Sequence, residues 1–308
     1  MEKFKINAVI PTAQYANLQP EIEVEAATYE EAQELALSRM AEFWNRVCEP
    51  GKEMKVAMPV ATGQPTQTNS YEEKVCEVSG ALVLFDKDSH TYVDKEGHPY
   101  LSGSTFAGRY KSKFNADVVS KSFAAKYKVP QDDVLNMWSL NGETSTSLGT
   151  AVHNALELYG KYLQLSLKTK GTSESALTKN MILQPIVESF FKGRENENAG
   201  YEVFIADEKN HLCGFIDRLL IVDEKKKIAR IQDYKTNANI NKAETIKPPF
   251  KGVVSNTILG AYWLQLSFYA YIMQQQGWTI EGLDIFNYED GEWKLYQSEV
   301  VDISGEIK

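Results

Sequence analysis

The sequence predicts a mixed α/β domain, a mixed central sheet flanked by helices, with a small α+β appendage at its N-terminus. Three observations carry this reading. Residues 212–222 form an apolar segment rich in Leu, Ile, Val and Phe, and after a charged turn residues 228–236, with Ile228 and Ile231 apolar, read as the next strand. An amphipathic stretch before them (148–157) and a strongly apolar one after them (262–273) read as the covering helices. A polar stretch rich in Pro, Gly and Thr (51–71) sets these elements apart from the first fifty residues.

In chain order, residues 4–10 alternate as a strand does and residues 21–26 read as a second. Residues 28–47 read as an amphipathic helix capped by Thr28, with Glu31 three residues on completing a capping box. The expected divisions are a module over 1–50, a linker over 51–75 and the main domain over 76–308. The module's role is not readable; a docking adaptor is one reading, and a solubility or oligomerisation module is the plainer one.

Within the main domain, residues 82–100 read as two short strands around the turn Asp94-Lys-Glu-Gly97. The following segment, 108–128, carries Arg109, Lys111, Lys113, Lys121, Lys126 and Lys128 against Asp117, a local charge of +5, with Tyr110, Phe114, Phe123 and Tyr127 interleaved. Such a segment can track phosphates and stack on bases, or can be a solvated amphipathic helix. The helix over 148–157 is expected to have its first turn near Gly149 and Thr150, with His153 and Glu157 on one face. In the apolar helix, Gln265 and Tyr269 stand four apart; their polar tips can serve a site or be satisfied within a core. The polar loop 237–256, with Lys242, Lys247 and Lys251, should border the cleft, and residues 283–288 and 293–301, joined at Asp290-Gly291, should close the domain as a hairpin.

The chemistry concentrates in the strand pair. Asp217 lies on the first strand, Asp233 and Lys235 on the second, and the period of two puts Asp233 and Lys235 on one face with Tyr234 opposite. Asp-x-Lys alone is an ordinary surface ion pair. Asp217, however, stands in an apolar run, where an ionised carboxylate is costly unless something binds it. Two carboxylates and an ammonium so placed can hold a hard divalent ion and steer a water at a phosphodiester.

Composition narrows the setting. A 308-residue chain with 43% hydrophobic content supports one sizeable core and a smaller module, and is neither disordered nor of membrane type. The irregularly spaced Cys48, Cys76 and Cys213 make no disulfide framework, which together with a polar N-terminus predicts a cytoplasmic protein. The net charge of -9 argues against a non-specific nucleic-acid coat, but residues 1–80 carry -6 of it and residues 81–308 only -3.

In order along the chain, Gly149-x-x-x-His153, Glu202 in Tyr-Glu-Val-Phe, Gly214-x-Ile-Asp217, Asp233-Tyr-Lys235-Thr and Gln265-x-x-x-Tyr269 resemble the motifs of the PD-(D/E)XK nucleases, most closely the RecB-like and phage exonuclease branch. Ile216 stands where the family name has proline. The resemblance implies a restriction-endonuclease-like core and a Mg²⁺- or Mn²⁺-dependent deoxyribonuclease, an exonuclease of DNA recombination, repair or processing in a bacterium or phage-infected host. The alternatives are an endonuclease of the same fold and a catalytically silent DNA-binding or scaffold protein. It further implies that His153, Asp217 and Asp233 bind metal with the Tyr234 carbonyl, and that Lys235 positions or activates the water. Glu202 and Glu157 would act close by, and Gln265 and Tyr269 would support the site or contact DNA, as would Arg109, Lys111 and Lys113. No iron–sulfur cluster is expected, since the clustered C-terminal cysteines of some relatives are missing. DNA is the implied partner, with a single-strand annealing or recombination protein a further one; a membrane is not, and an oligomer is admitted but not required. Asp233→Asn or Lys235→Ala is expected to abolish cleavage with little change in melting temperature.

Overall fold

The computed structural model describes residues 71–308 apart from 87, 88, 90, 113, 170–175 and 308; before residue 71 it describes 2–7, 10–13, 16–18, 21–26, 28, 31, 32, 34–36, 38 and 39. Lys113 and the stretch 51–70 therefore lie outside the described residues. The chain divides into two units, Met1–Gln67 and Thr68–Lys308.

In the first unit, β1 (Glu2–Asn7) pairs antiparallel with β4 (Glu21–Ala26), and β2 (Ile10–Ala13) pairs antiparallel with β3 (Ala16–Leu18). The Oγ1 of Thr28 accepts the backbone N–H of Glu31 at 3.3 Å, the first half of a capping box.

The second unit opens with a three-stranded antiparallel sheet: β5 (Tyr71–Val75), β6 (Leu82–Asp86) and β7 (Thr91–Val93). The end of the stretch read as a linker thus forms β5. Its Tyr-Glu-Glu-Lys-Val sequence alternates between exposed and half-buried positions, as a polar edge strand does, and lacks the apolar run that marks a central one.

The main sheet has six strands in the order β13-β12-β11-β10-β8, with β9 pairing along β10. These are β8 (Leu101–Ser102), β9 (Ala199–Asp207), β10 (Leu212–Asp223), β11 (Ile228–Lys235), β12 (Thr279–Glu289) and β13 (Glu292–Ser298). The sheet is mixed: β11 runs parallel to β12 and β8 to β10, and the other pairs are antiparallel. The closing hairpin turns at Asp290 (φ 54°) and Gly291 (φ 85°), the two positive-φ positions of a tight primed turn.

Helices α1 (Gly103–Arg109), α3 (Gln131–Thr169), α4 (Leu183–Phe191) and α5 (Ile258–Gln275) cover the two faces, and α2 (Ala116–Tyr127) packs against α3. Val203, Ile205, Ile216, Leu219, Ile231, Leu283 and Ile285 form one core with Phe106 of α1 and Leu264, Phe268 and Ile272 of α5. On the other face, Ala199, Tyr201, Tyr234 and Phe286 pack with Val152 and Leu156 of α3 and Phe190 and Phe191 of α4. This is the restriction-endonuclease-like arrangement.

One expectation is corrected. The helix expected to begin near Gly149 begins at Gln131, with Asp132 and Asp133 in its first turn, and runs for 39 residues. Gly149 lies in its interior, where Thr236 Oγ1 comes within 3.4 Å of the position a Cβ would take. The stretch from Ser139 to Thr150 is so rich in Ser, Thr and Gly that it reads as a helix entry, yet α3 passes through it.

Candidate active site

The site forms where β10 and β11 part. Along one edge β10 keeps β9 as partner, whereas its other edge is shared, with β11 paired from Arg218 to Asp223 and β8 at Leu212 and Cys213. One further step along the Arg218–Gln232 register sets Asp217 beside Asp233. There the ladder gives way to a side chain: Asp217 Oδ2 accepts the backbone N–H of Tyr234 at 2.9 Å.

His153 reaches the same oxygen from α3, its Nδ1 lying 3.3 Å from Asp217 Oδ2. Glu202, on β9, completes a group: His153, Glu202 and Asp217 each offer a ligand atom within 4.8 Å of the others. Glu202 holds a left-handed backbone with φ 50°, uncommon for a residue other than glycine. The side-chain alternation of β9 breaks at this residue, since Tyr201 packs with α3 and α4 while Val203 packs with α5.

The donor set of one imidazole and two carboxylates suits a divalent cation. Burial pushes the Glu202 carboxyl up to about 8, with the charges of Asp217 and Glu157 adding to the effect. A cation among these carboxylates would relieve that crowding, so the residues present fit a metal.

Asp233 stands beside this group in an ion pair of its own, Oδ2 to Lys235 Nζ, with both side chains nearly buried. Burial works to lower the ammonium's pKa, but the carboxylates of Asp233 and Asp217 more than offset it and raise it, so Nζ keeps its proton. The ammonium also lies over the Tyr262 ring, 4.7 Å from its centroid. Tyr262 in turn donates its hydroxyl to Asn237 Oδ1 at 3.1 Å, and Asn237 exchanges two 2.9 Å hydrogen bonds with the buried side chain of Asn287 on β12. These contacts fix where the chain leaves β11.

The remaining predicted residues are placed as follows. Glu157 accepts from Lys161 at 2.6 Å, one helical turn along α3, and acts on the site through its charge. The Tyr234 ring turns away into the core, edge-on to His153 at 5.8 Å. Gln265 Nε2 donates to the Tyr269 hydroxyl at 3.0 Å. A Cβ on Gly103 or Gly214 would lie 2.4 Å from Tyr269 Cε1, so both glycines make room for this ring. Arg109 ends α1, and Lys111 bridges to Ile246 and lies 3.7 Å from Glu244.

A cavity of about 320 Å³ opens over the site, lined by Ser145, Thr146, His153, Lys235, Asn237 and Tyr262. Ser145 and Thr146 were not anticipated, although they precede His153 by eight and seven residues, two helical turns on one face. A larger cavity of about 1100 Å³ lies between α2 and residues 242–258, lined by Phe114, Asn115, Val118, Lys242 and Lys251 among others. The 237–256 segment is tied down rather than free: Ile240, Ile246 and Phe250 are buried, and Lys247 N–H donates to Tyr110 O at 2.8 Å.

Residues 124–298 match the family model of the PD-(D/E)XK nuclease superfamily, and the chain belongs to that superfamily. Membership makes it a hydrolase of the nuclease class, a class that typically uses divalent metal ions. No curated protein matches the chain. A solved structure, "Crystal structure of SSO0001", is 18% identical over 50% of this chain and 70% of its own, with a TM-score of 0.25, too low to carry a structural argument. Among the described residues no helix is long and apolar enough to cross a membrane.

Proposed function

We propose that the chain is a Mg²⁺- or Mn²⁺-dependent deoxyribonuclease, and of the exonuclease type within its superfamily, acting in DNA processing or recombination. The observation that carries this reading is the convergence of His153, Glu202 and Asp217 beside the buried Asp233–Lys235 pair. His153, Glu202 and Asp217 would hold the ion, with Asp233 adjoining. A bound divalent ion supplies Lewis-acid activation of water and neutralises charge developing on the phosphate. Lys235, kept protonated, presents a fixed positive charge to orient the attacking water and balance the phosphoryl oxygens. Thr146 and Ser145 would offer hydroxyls to the phosphate backbone along the cleft. The aromatic and basic surface of α2 and the residues leading into it favours a DNA strand as substrate: Phe114, just before the helix, and Phe123 and Tyr127 on it are exposed, and Lys126 lies 5.2 Å from the centroid of the Tyr127 ring.

The experiment compares linear and closed circular DNA, each with Mg²⁺, with Mn²⁺ and with EDTA, using Asp217→Asn as control. Nucleotide release from linear DNA alone, lost in EDTA and in the control, is the expected result. Cutting of closed circles would replace the exonuclease reading with an endonuclease one, and binding without cleavage in either ion would overturn both.

A further inference from the structure

Away from the cleft, Asp94, His98 and His211 gather one carboxylate and two imidazoles, each offering a ligand atom within 4.8 Å of the others. They use two of the chain's four histidines. Asp94 follows β7, and its Oδ1 accepts the backbone N–H groups of Glu96 at 2.9 Å and His98 at 2.8 Å. Both bonds fix the carboxylate so that Oδ2 faces His98 Nδ1 at 2.8 Å and His211 Nε2 at 3.3 Å.

His211 arrives from the turn between β9 and β10, more than a hundred residues away in sequence. It has a left-handed backbone, φ 50°, and the Tyr100 ring packs against its imidazole with centroids 5.1 Å apart. The two imidazoles stand perpendicular with centroids 6.1 Å apart. A cavity of about 440 Å³ opens on Asp94 and His211, and Glu208 lines it as a further carboxylate.

We propose that Asp94, His98 and His211 form a second metal site, separate from the nuclease cleft, for a borderline transition ion such as Zn²⁺. Two imidazoles with one carboxylate favour Zn²⁺, Co²⁺ or Ni²⁺ over Mg²⁺, which prefers an all-oxygen shell. The carboxylate is already oriented by backbone donors, as ligands of such sites are. Glu208 is within reach of the same cavity as a fourth donor, or water fills that position. The ion would tie the turn after β7 to the turn between β9 and β10, clamping the small β5–β7 sheet onto the main one.

The test is titration of the EDTA-stripped full chain with Zn²⁺ against a chromophoric chelator, together with the visible absorption of the Co²⁺-loaded protein. Wild type and Asp217→Asn should both bind one equivalent that His98→Ala weakens by more than about tenfold, because a ligand is lost. His98 is largely exposed, so its removal leaves the fold intact, which circular dichroism checks; His211→Asn, which keeps a residue tolerant of the left-handed backbone, should behave alike. With both variants built on Asp217→Asn, which disables the cleft group, the Co²⁺ absorption should vanish in both, and Zn²⁺ should raise the melting temperature of the Asp217→Asn protein but of neither variant. The proposal is overturned if wild type binds no Zn²⁺ beyond what Asp217→Asn removes, or if His98→Ala leaves stoichiometry and affinity unchanged; a hydrogen-bonded His–Asp–His cluster is then all that stands there.

Discussion

The backbone N–H of Tyr234 donates to Oδ2 of Asp217 at 2.9 Å, so a candidate metal ligand also closes the gap left where two strands part. Its two duties can be separated. In Asp217→Asn the amide oxygen still accepts from Tyr234, whereas the charge is gone. Cleavage should fall by about 10²–10³-fold with the melting temperature nearly kept, an outcome read from nucleotide release and thermal unfolding. Asp217→Ala should also leave the Tyr234 N–H unpaired and lower stability by about 1–3 kcal/mol. Equal stability losses in the two variants would contradict this division.

Lys235 and Asp233 must be varied together. Asp233 is only 4% exposed, and its partner's side chain only 15%, so removing either charge leaves the other nearly buried without its partner. The expectation of an unchanged melting temperature for Lys235→Ala or Asp233→Asn is therefore revised: each single change should cost about 3–5 kcal/mol, as breaking a buried pair does. Lys235→Met with Asp233→Asn should recover most of that stability and none of the cleavage. Urea unfolding of the three variants beside wild type makes the comparison.

Glu202 makes the metal-free protein sensitive to pH. Its carboxyl is raised from 4.5 to about 8, so between those values the folded state binds more protons than the unfolded one. Stability must then fall as pH rises through that window, since the stabilisation is complete below the unfolded value and lost above the folded one. In EDTA the melting temperature should decline from pH 5 to pH 8, and Glu202→Gln should flatten the decline. Mg²⁺ or Mn²⁺ should raise the melting temperature more at pH 8 than at pH 5, because the ion competes with that proton. A pH-independent metal shift would exclude Glu202 from the ligand group.

What could be read from the chain was what short range encodes. The charged turn between two strand-like runs announced β10 and β11, and Asp-x-Lys placed Asp233 and Lys235 by strand period alone. The closing hairpin was legible because Asp290-Gly291 suits a turn needing two positive φ angles. What escaped depends on distant partners. The length of α3 was hidden because its Ser- and Thr-rich middle is exposed, with no buried residue between Val134 and Val152, and so shows no apolar face of helical period. Glu202 was legible as a family position, but its membership of the His153–Asp217 group depends on a left-handed kink that no local pattern specifies. Gly214 and Gly103 serve the Tyr269 ring, which only the fold brings to them.

The polar row next to the site is the furthest from local reading. Tyr201, Arg218, Gln232, Asp284 and Gln297 stand opposite one another on five neighbouring strands, from β9 across to β13. Arg218 is fully buried; it donates to Glu197 Oε2 at 2.5 Å, to the Tyr201 hydroxyl at 3.3 Å and to Gln232 Oε1. Gln232 passes the bond on, its Nε2 donating to Asp284 Oδ2 at 2.8 Å, and Gln297 and Arg230 also donate to Asp284. Burial opposes the charge on Asp284, yet the bonds from Arg230, Gln297 and Gln232 hold its carboxyl below the usual range. Gln232 thus faces a cation with its oxygen and an anion with its nitrogen. Gln232→Leu should break the row at two bonds and lower stability by about 1–3 kcal/mol for each group left unpaired, and Arg218→Ala should lower it by about 3–5 kcal/mol. Because this row adjoins the rung of Asp217 and Asp233, the Gln232→Leu protein should also lose cleavage activity beyond what its unfolded fraction explains. Urea unfolding and cleavage assays on the same samples decide it: full specific activity per folded molecule would make the row a stability device alone.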